Sequence, residues 1–127
     1  INSDPVKHKI LLKREVLADD FIFGKAEVPE EYEQAVINMS RKIKDMGPYV
    51  VVYLIGNTDN IGPERGNIGL SYQRAHSVAD ILVSQGIIRD RIILIPSGYH
   101  EPIEPNDTPE HRMHNRRVDI ELRCFYY

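Results

Sequence analysis

A two-layer α/β sandwich, with a mixed sheet and helices on one face, is the fold class that the sequence predicts. Three observations predict it. Strand-like and helix-like segments alternate through most of the chain. Two glycine stops, Gly47-Pro48 and Gly86, close the two helical segments. Two strand-like segments then come in succession, so the order reads β–α–β–α–β–β.

Residues 1–9 read as a ragged entry, and Ile10–Leu17 has strand composition with poor alternation. Phe21-Ile22-Phe23 is a second short apolar run. Pro29 suits the first position of a helix, and Glu30, Glu31 and Glu33 fill a first turn where the helix dipole favours acids. Tyr32, Ala35, Val36, Met39, Ile43 and Met46 follow helical spacing up to Gly47-Pro48. Tyr49–Ile55 is almost continuously β-branched and aromatic, the composition of a strand buried on both faces. Asn57–Gly69 holds Gly62, Pro63, Gly66 and Gly69 and reads as a long loop. A second helix is predicted over Leu70–Gln85, and a strand over Ile92–Ile95. Ser97–Pro109 reads as a loop. Arg117–Phe125 reads as a closing strand, with Val118, Ile120 and Leu122 alternating against Asp119, Glu121 and Arg123. Phe125-Tyr126-Tyr127 is either the end of that strand or a cut into a further segment.

Composition bounds the function. The 127 residues are expected to form one domain over residues 1–127, since about 150 residues per domain is usual. Hydrophobic residues at 42% and charged residues at 28% are ordinary for a globular domain. No apolar run reaches the ~18 residues of a membrane span, so membrane insertion by this domain is not expected. A net charge of -3 leaves no domain-wide basic field, so no nucleic-acid partner is expected. The single cysteine, Cys124, has no partner within the chain and reads as packing. The chain begins at Ile1 with no signal peptide, which reads as a processed product or a piece excised from something larger. Its cations are unevenly placed: all six lysines lie at or before Lys44, and eight of the ten arginines at or after Arg65. Arginine suits two-pronged recognition of carboxylate or phosphate.

The second helix carries an anomaly. At about 100° per residue, Leu70, Ala75, Val78, Ala79, Ile81, Leu82 and Val83 fill one arc. Arg74 falls inside that arc, and near the helix start, where the dipole disfavours a cation. It therefore needs an internal carboxylate, a path to the surface, or a carboxylate from outside. Gly56-Asn57-Thr58-Asp59-Asn60 ends the preceding strand, where loops of α/β sheets gather ligands. Asp59 and Arg74 would then flank one crevice, an arrangement that fits a zwitterion. The alternatives for Asp59 are a direct pair with Arg74 or an Asx turn. Asn115-Arg116-Arg117-Val118 places two adjacent arginines on opposite faces of the chain, one of which would join the crevice.

Three blocks now stand in order: Thr58-Asp59-Asn60, then Asn67-x-x-Leu70-Ser71-x-x-Arg74-Ala75-x-x-Val78, then Asn115-Arg116-Arg117-Val118. Together with Asn106-Asp107-Thr108-Pro109-Glu110 they resemble the OmpA-like peptidoglycan-binding domain, from about Asp20 to Leu122. The resemblance implies binding, without cleavage, of the diaminopimelate residue of the peptidoglycan stem peptide. It implies Asp59 and Arg74 as the two principal ligands, with Thr58 and Asn60 in the same motif and Asn67, Leu70 and Arg117 shaping the pocket. It implies no cofactor, a periplasmic location as part of an outer-membrane or cell-envelope protein, and anchoring of that protein to the wall, with homodimer pairing as one way of multiplying a modest affinity. Gly24 stands where the family commonly has Asp, and Asn57 where it commonly has His. The turn around Gly98–Pro102 is shorter than usual. Other readings are a self-assembling stator or secretion-ring component with the same fold, and a wall-modifying enzyme.

The remaining motifs are read more plainly. His100, His111 and His114 lie in a polar, proline-bordered stretch read as a solvated loop rather than a metal site. Ser71 and Ser97 lack a nucleophile elbow. The glycine-rich segment 56–69 lacks the Lys-Ser/Thr ending of a phosphate loop. No catalytic residue is expected.

Overall fold

Residues 8–126 are described by the structure, a computed structural model of the chain. The expectations for residues 1–7 and for Tyr127 lie outside the described residues. The elements are β1 (His8–Ala18), α1 (Glu30–Asp45), β2 (Val50–Gly56), α2 (Glu64–Ser84), β3 (Ile92–Pro96), α3 (Pro109–Asn115) and β4 (Val118–Tyr126), with one 3-10 turn at Arg89–Arg91. The strands form one sheet in the order β1-β4-β2-β3. β4 runs antiparallel to both β1 and β2, and β3 runs parallel to β2. The parallel pair needs a crossover, and α2 supplies it. The fold is the mixed two-layer α/β sandwich predicted, with one additional short helix.

Binary patterning sets the layers. Val50, Val52 and Leu54 of β2 and Val118, Ile120 and Leu122 of β4 face one side of the sheet and are fully buried. Val36, Met39 and Ile43 of α1 and Ala75, Val78, Ala79 and Leu82 of α2 pack onto them as one core. Burying each large side chain of this set stabilises the fold by roughly 1.5–3 kcal/mol. The other face of β2 is less covered than its composition suggested, because Val51 and Tyr53 are only half-buried. Arg123 covers the Tyr53 ring at 4.8 Å.

β1 is irregular for a physical reason. Its register with β4 shifts between Leu11 and Lys13 and between Val16 and Ala18. Two bulges explain the poor alternation, and the second turns Leu17 into the core, where it is 5% exposed.

Helix boundaries differ from the sequence reading at three places. Pro29 is the residue before α1 rather than its first. α2 begins at Glu64, six residues before Leu70, so Gly66 and Gly69 are helical rather than loop. α3, read as loop, forms on a Thr108 cap whose side chain accepts from His111 N, with Pro109 following.

One contact fixes how α2 meets the sheet. A Cβ at Gly56 would lie 1.8 Å from the Ser71 carbonyl oxygen, so only glycine permits this approach of strand end to helix. Ser97 N donates to Gly56 O, and Gly98 N donates to Ser71 Oγ at 2.9 Å. These contacts bring the Asn57–Asn60 loop alongside the first turns of α2. Among the described residues no helix is long and apolar enough to cross a membrane.

Candidate functional site

The β2–α2 loop, the first turns of α2 and the segment after β1 enclose a crevice of about 200 Å³. Its lining includes Thr58, Asp59, Asn67, Leu70 and Arg74, five of the seven residues singled out from sequence. Asn60 is exposed and outside the lining. Arg117 also lies elsewhere, on the opposite face of the sheet. There its Nε and Nη2 donate to Asp119, each at 3.0 Å, and Nη2 also donates to Glu101 O.

Arg74 is fully buried, so it does not snorkel, and no carboxylate lies within salt-bridge distance of it among the described residues. Three backbone carbonyls hold it. Its Nε donates to Lys25 O at 2.8 Å, Nη1 to Asn57 O at 3.0 Å and Nη2 to Ile22 O at 3.1 Å. Its guanidinium also lies over the Phe21 ring, 5.3 Å from the centroid. A guanidinium has five N–H donors, so one remains on each terminal nitrogen. That pair suits a carboxylate. Burial, reinforced by the neighbouring Arg116 and opposed by Asp59, pushes the Arg74 pKa down to about 10. The group stays charged at neutral pH.

Asp59 is 2% exposed. Its Oδ1 accepts from Ile61 N at 3.1 Å, an Asx turn, and its Oδ2 accepts from Arg116 Nη1 at 3.2 Å. Its carboxylate partner is therefore Arg116 and not Arg74. Each oxygen keeps a lone pair for a further donor. Arg116 in turn donates from Nε to Phe21 O, and its own carbonyl accepts from Phe21 N at 3.1 Å. The segment after β1 is thus clamped by Arg116 on one side and Arg74 on the other.

The loop is organised from within. Asn67 Nδ2 donates to Ile61 O at 3.0 Å and bridges to Gly62 O. Thr58 Oγ1 donates to Asp59 O. Of the loop amides, Asn57 N donates to Arg117 O and Thr58 N to Gly98 O, so those two are consumed by the fold. Ser71 Oγ is likewise occupied, donating to Ile68 O and accepting from Gly98 N.

Arg116 is the residue that sequence reading left unassigned. The adjacent arginines do point to opposite faces, but choosing between them needs the register of β4, which starts at Val118. The histidines disperse to separate acids rather than forming a cluster. His100 meets Glu64, His111 meets Asp107, and His114 meets Asp19 at 3.2 Å and Asp20 at 3.6 Å. His111 and His114 stand on α3 and not on a loop. Asp19, Asp20 and His114 bring three donor atoms within 4.8 Å and are the described residues that could hold a cation.

The model of the OmpA family matches residues 20–116. The chain is 44% identical over 98 residues to the peptidoglycan-binding protein ArfA of Mycobacterium bovis, covering 76% of this chain and 29% of that protein. It is 35% identical over 118 residues to outer membrane protein A of Bordetella avium, covering 93% of this chain and 59% of that protein. This sequence therefore spans only part of the length of these relatives. Among solved structures it is similar to the peptidoglycan-associated lipoprotein from Burkholderia pseudomallei, with TM-score 0.75, 22% identity, and 85% and 88% of the two chains covered. It is also similar to the cell wall anchor of the T6SS from Pseudomonas aeruginosa, with TM-score 0.65, 28% identity, and 84% and 75% covered.

Proposed function

The chain belongs to the OmpA family, and on that premise we propose that it binds peptidoglycan non-covalently through the diaminopimelate of the stem peptide. Binding of this kind would anchor a larger envelope protein to the wall from the periplasmic side. The observation that carries the reading is Arg74, a fully buried cation beside an open crevice, whose hydrogen-bond partners among the described residues are all backbone carbonyls. A buried charge without an opposite charge is costly, commonly by several kcal/mol. A ligand carboxylate relieves that cost.

In this reading Arg74 takes the carboxylate on its two remaining N–H groups, and Asp59 accepts from the ligand ammonium. Arg116 holds Asp59 in place. Asn67 and Thr58 hold the loop, and Leu70 forms part of the wall. The charged residues of the lining are one of each sign, Asp59 and Arg74, which suits a zwitterion. No residue takes a catalytic part. The nucleophile candidate Ser71 has both of its hydrogen-bonding roles filled by backbone. The names of the relatives, a peptidoglycan-binding protein and a cell wall anchor, support the same reading.

Affinity rests on one small zwitterion and is expected to be modest. Co-sedimentation with purified sacculi tests the proposal. The wild-type domain should pellet and Arg74→Lys should pellet far less, because lysine keeps the charge but loses the fork. Equal pelleting of the two proteins would argue against this site. Release of soluble muropeptides during the incubation would contradict the non-enzymatic part.

A further inference from the structure

Outside the crevice, the segment leaving β1 meets α3 at a cluster of metal-ligating groups. His114 Nδ1 lies 3.2 Å from Asp19 Oδ2 and 3.6 Å from Asp20 Oδ1. His114 and Asp19 are 95 residues apart in sequence, so the fold alone assembles the set. Each carboxylate has one oxygen engaged and the other turned to the imidazole. Asp19 Oδ1 accepts from Asp20 N at 2.7 Å, and Asp20 Oδ2 accepts from Tyr32 Oη at 3.4 Å. The single N–H that Nδ1 can carry meets Asp19. Asp20 Oδ1 is left buried, with no hydrogen-bond partner among the described residues. The charge of Glu31 on α1 also acts on Asp20. One hydrogen on Nδ1 cannot serve both carboxylates, whereas one cation between the three groups can. The acids around His111 do not converge in this way, because Asp107 and Glu104 meet different nitrogens of its ring.

We propose that Asp19, Asp20 and His114 form a binding site for one divalent transition-metal ion of the zinc class. The donors are Asp19 Oδ2, Asp20 Oδ1 and His114 Nδ1, with water completing the shell. Zinc holds imidazole nitrogen and carboxylate oxygen at about 2.0–2.2 Å, which sets neighbouring ligands of a tetrahedral ion about 3.4 Å apart. The two distances from His114 Nδ1 bracket that value. One donor atom from each residue lies within 4.8 Å of the others, so a small carboxylate rotation closes the set. The imidazole selects zinc-class ions over calcium and magnesium, which take oxygen ligands. The His114 side chain is 44% exposed and leaves a path for the ion to enter. The role is structural. Asp20 adjoins Phe21, and His114 lies on α3 just ahead of Arg116, so the ion staples the two segments beside the Phe21–Arg116 backbone pairing.

Calorimetry of zinc chloride titrated into the metal-free domain tests the site. The wild type should take up one zinc ion in its tightest binding step. His114→Gln and Asp20→Asn, each shown by circular dichroism to be folded in chelator, should bind it roughly tenfold or more weakly. His111→Gln should bind it as the wild type does. Thermal unfolding should shift upward with zinc in the wild type and in His111→Gln, and stay in place in His114→Gln. A wild type that takes up no zinc would overturn the site. Wild-type affinity in either His114→Gln or Asp20→Asn would overturn it as well. Calcium or magnesium bound as tightly as zinc would overturn the class of ion.

Discussion

Arg116 and Arg117 are neighbours in sequence and serve opposite sides of the molecule. Arg116 Nη1 lies 3.2 Å from Asp59 Oδ2 at the crevice, whereas Arg117 forks onto Asp119, both contacts at 3.0 Å, beyond the far face of the sheet. One dipeptide thereby braces both the candidate site and the sheet, and the two arginines should fail differently when changed.

Arg117→Ala should cost stability without affecting the site. Among the described residues it leaves Asp119, whose carboxyl burial already pushes above its usual pKa, with Arg14 at 3.8 Å as its cation. Loss of one partner of a buried pair costs about 3 kcal/mol or more. Denaturant unfolding should show that loss, and the protein that remains folded should bind diaminopimelate as the wild type does. Replacing both partners, Arg117→Met with Asp119→Leu, should recover most of the stability. A large affinity loss in folded Arg117→Ala would return Arg117 to the binding site.

Gly66→Ala should separate stability from binding. Gly66 is helical, and a Cβ there would meet only the Pro63 side chain, at 3.7 Å. Alanine in a helix is favoured over glycine by about 0.5–1 kcal/mol. Because Gly66 lines the crevice, the same methyl takes up ligand space. Thermal unfolding should shift upward while affinity for diaminopimelate falls. Unchanged affinity would mean that the ligand does not reach the first turn of α2.

Much of this was legible in the chain. α1 and β3 are set by local signals: acids in a first turn, helical spacing, and a glycine or proline stop. The start of α2 was hidden because Gly62, Gly66 and Gly69 look like loop, although only Gly62 has a positive φ. Inside a helix a glycine costs stability but does not stop the chain. The seven-residue α3 was missed although its Thr108-Pro109 signal is present. Asp119 and Glu121 alternate against the apolar residues of β4, yet they too are buried, at 5% and 6% exposed. Arg14, Arg117 and Arg123 cover them, and such coverage depends on strand register, which alternation does not encode. The misplaced Arg74 could be seen from helical spacing. Its three carbonyl partners could not, because they come from segments 17 and about 50 residues away.

Asp20 should give a pH signature. It takes a positive φ of 58°, and burial, reinforced by Asp19, raises its carboxyl pKa despite the opposing pull of His114. A carboxyl raised on folding binds its proton more tightly in the folded state, so its ionised form costs stability at neutral pH. That cost disappears as pH falls through the raised value toward the usual ~3.9. Asparagine tolerates the same backbone conformation. Asp20→Asn should therefore be more stable than wild type at pH 7, by under about 1 kcal/mol given partial solvent screening. The difference should close below about pH 4. A variant less stable at pH 7 would show that the His114 contact outweighs desolvation.

Calorimetry of the domain with free diaminopimelate, comparing wild type with Asp59→Asn and Arg74→Lys, bears most directly on the charged pair. Asparagine can still accept from Ile61 N through its side-chain oxygen but loses the charge for an ammonium. Lysine keeps the charge but loses the two-pronged donor. Each change should weaken binding roughly tenfold or more, the loss expected for a charge-assisted hydrogen bond. Wild-type affinity in both variants, with unfolding curves showing them folded, would contradict the assignment of Asp59 and Arg74 as the groups that hold the ligand.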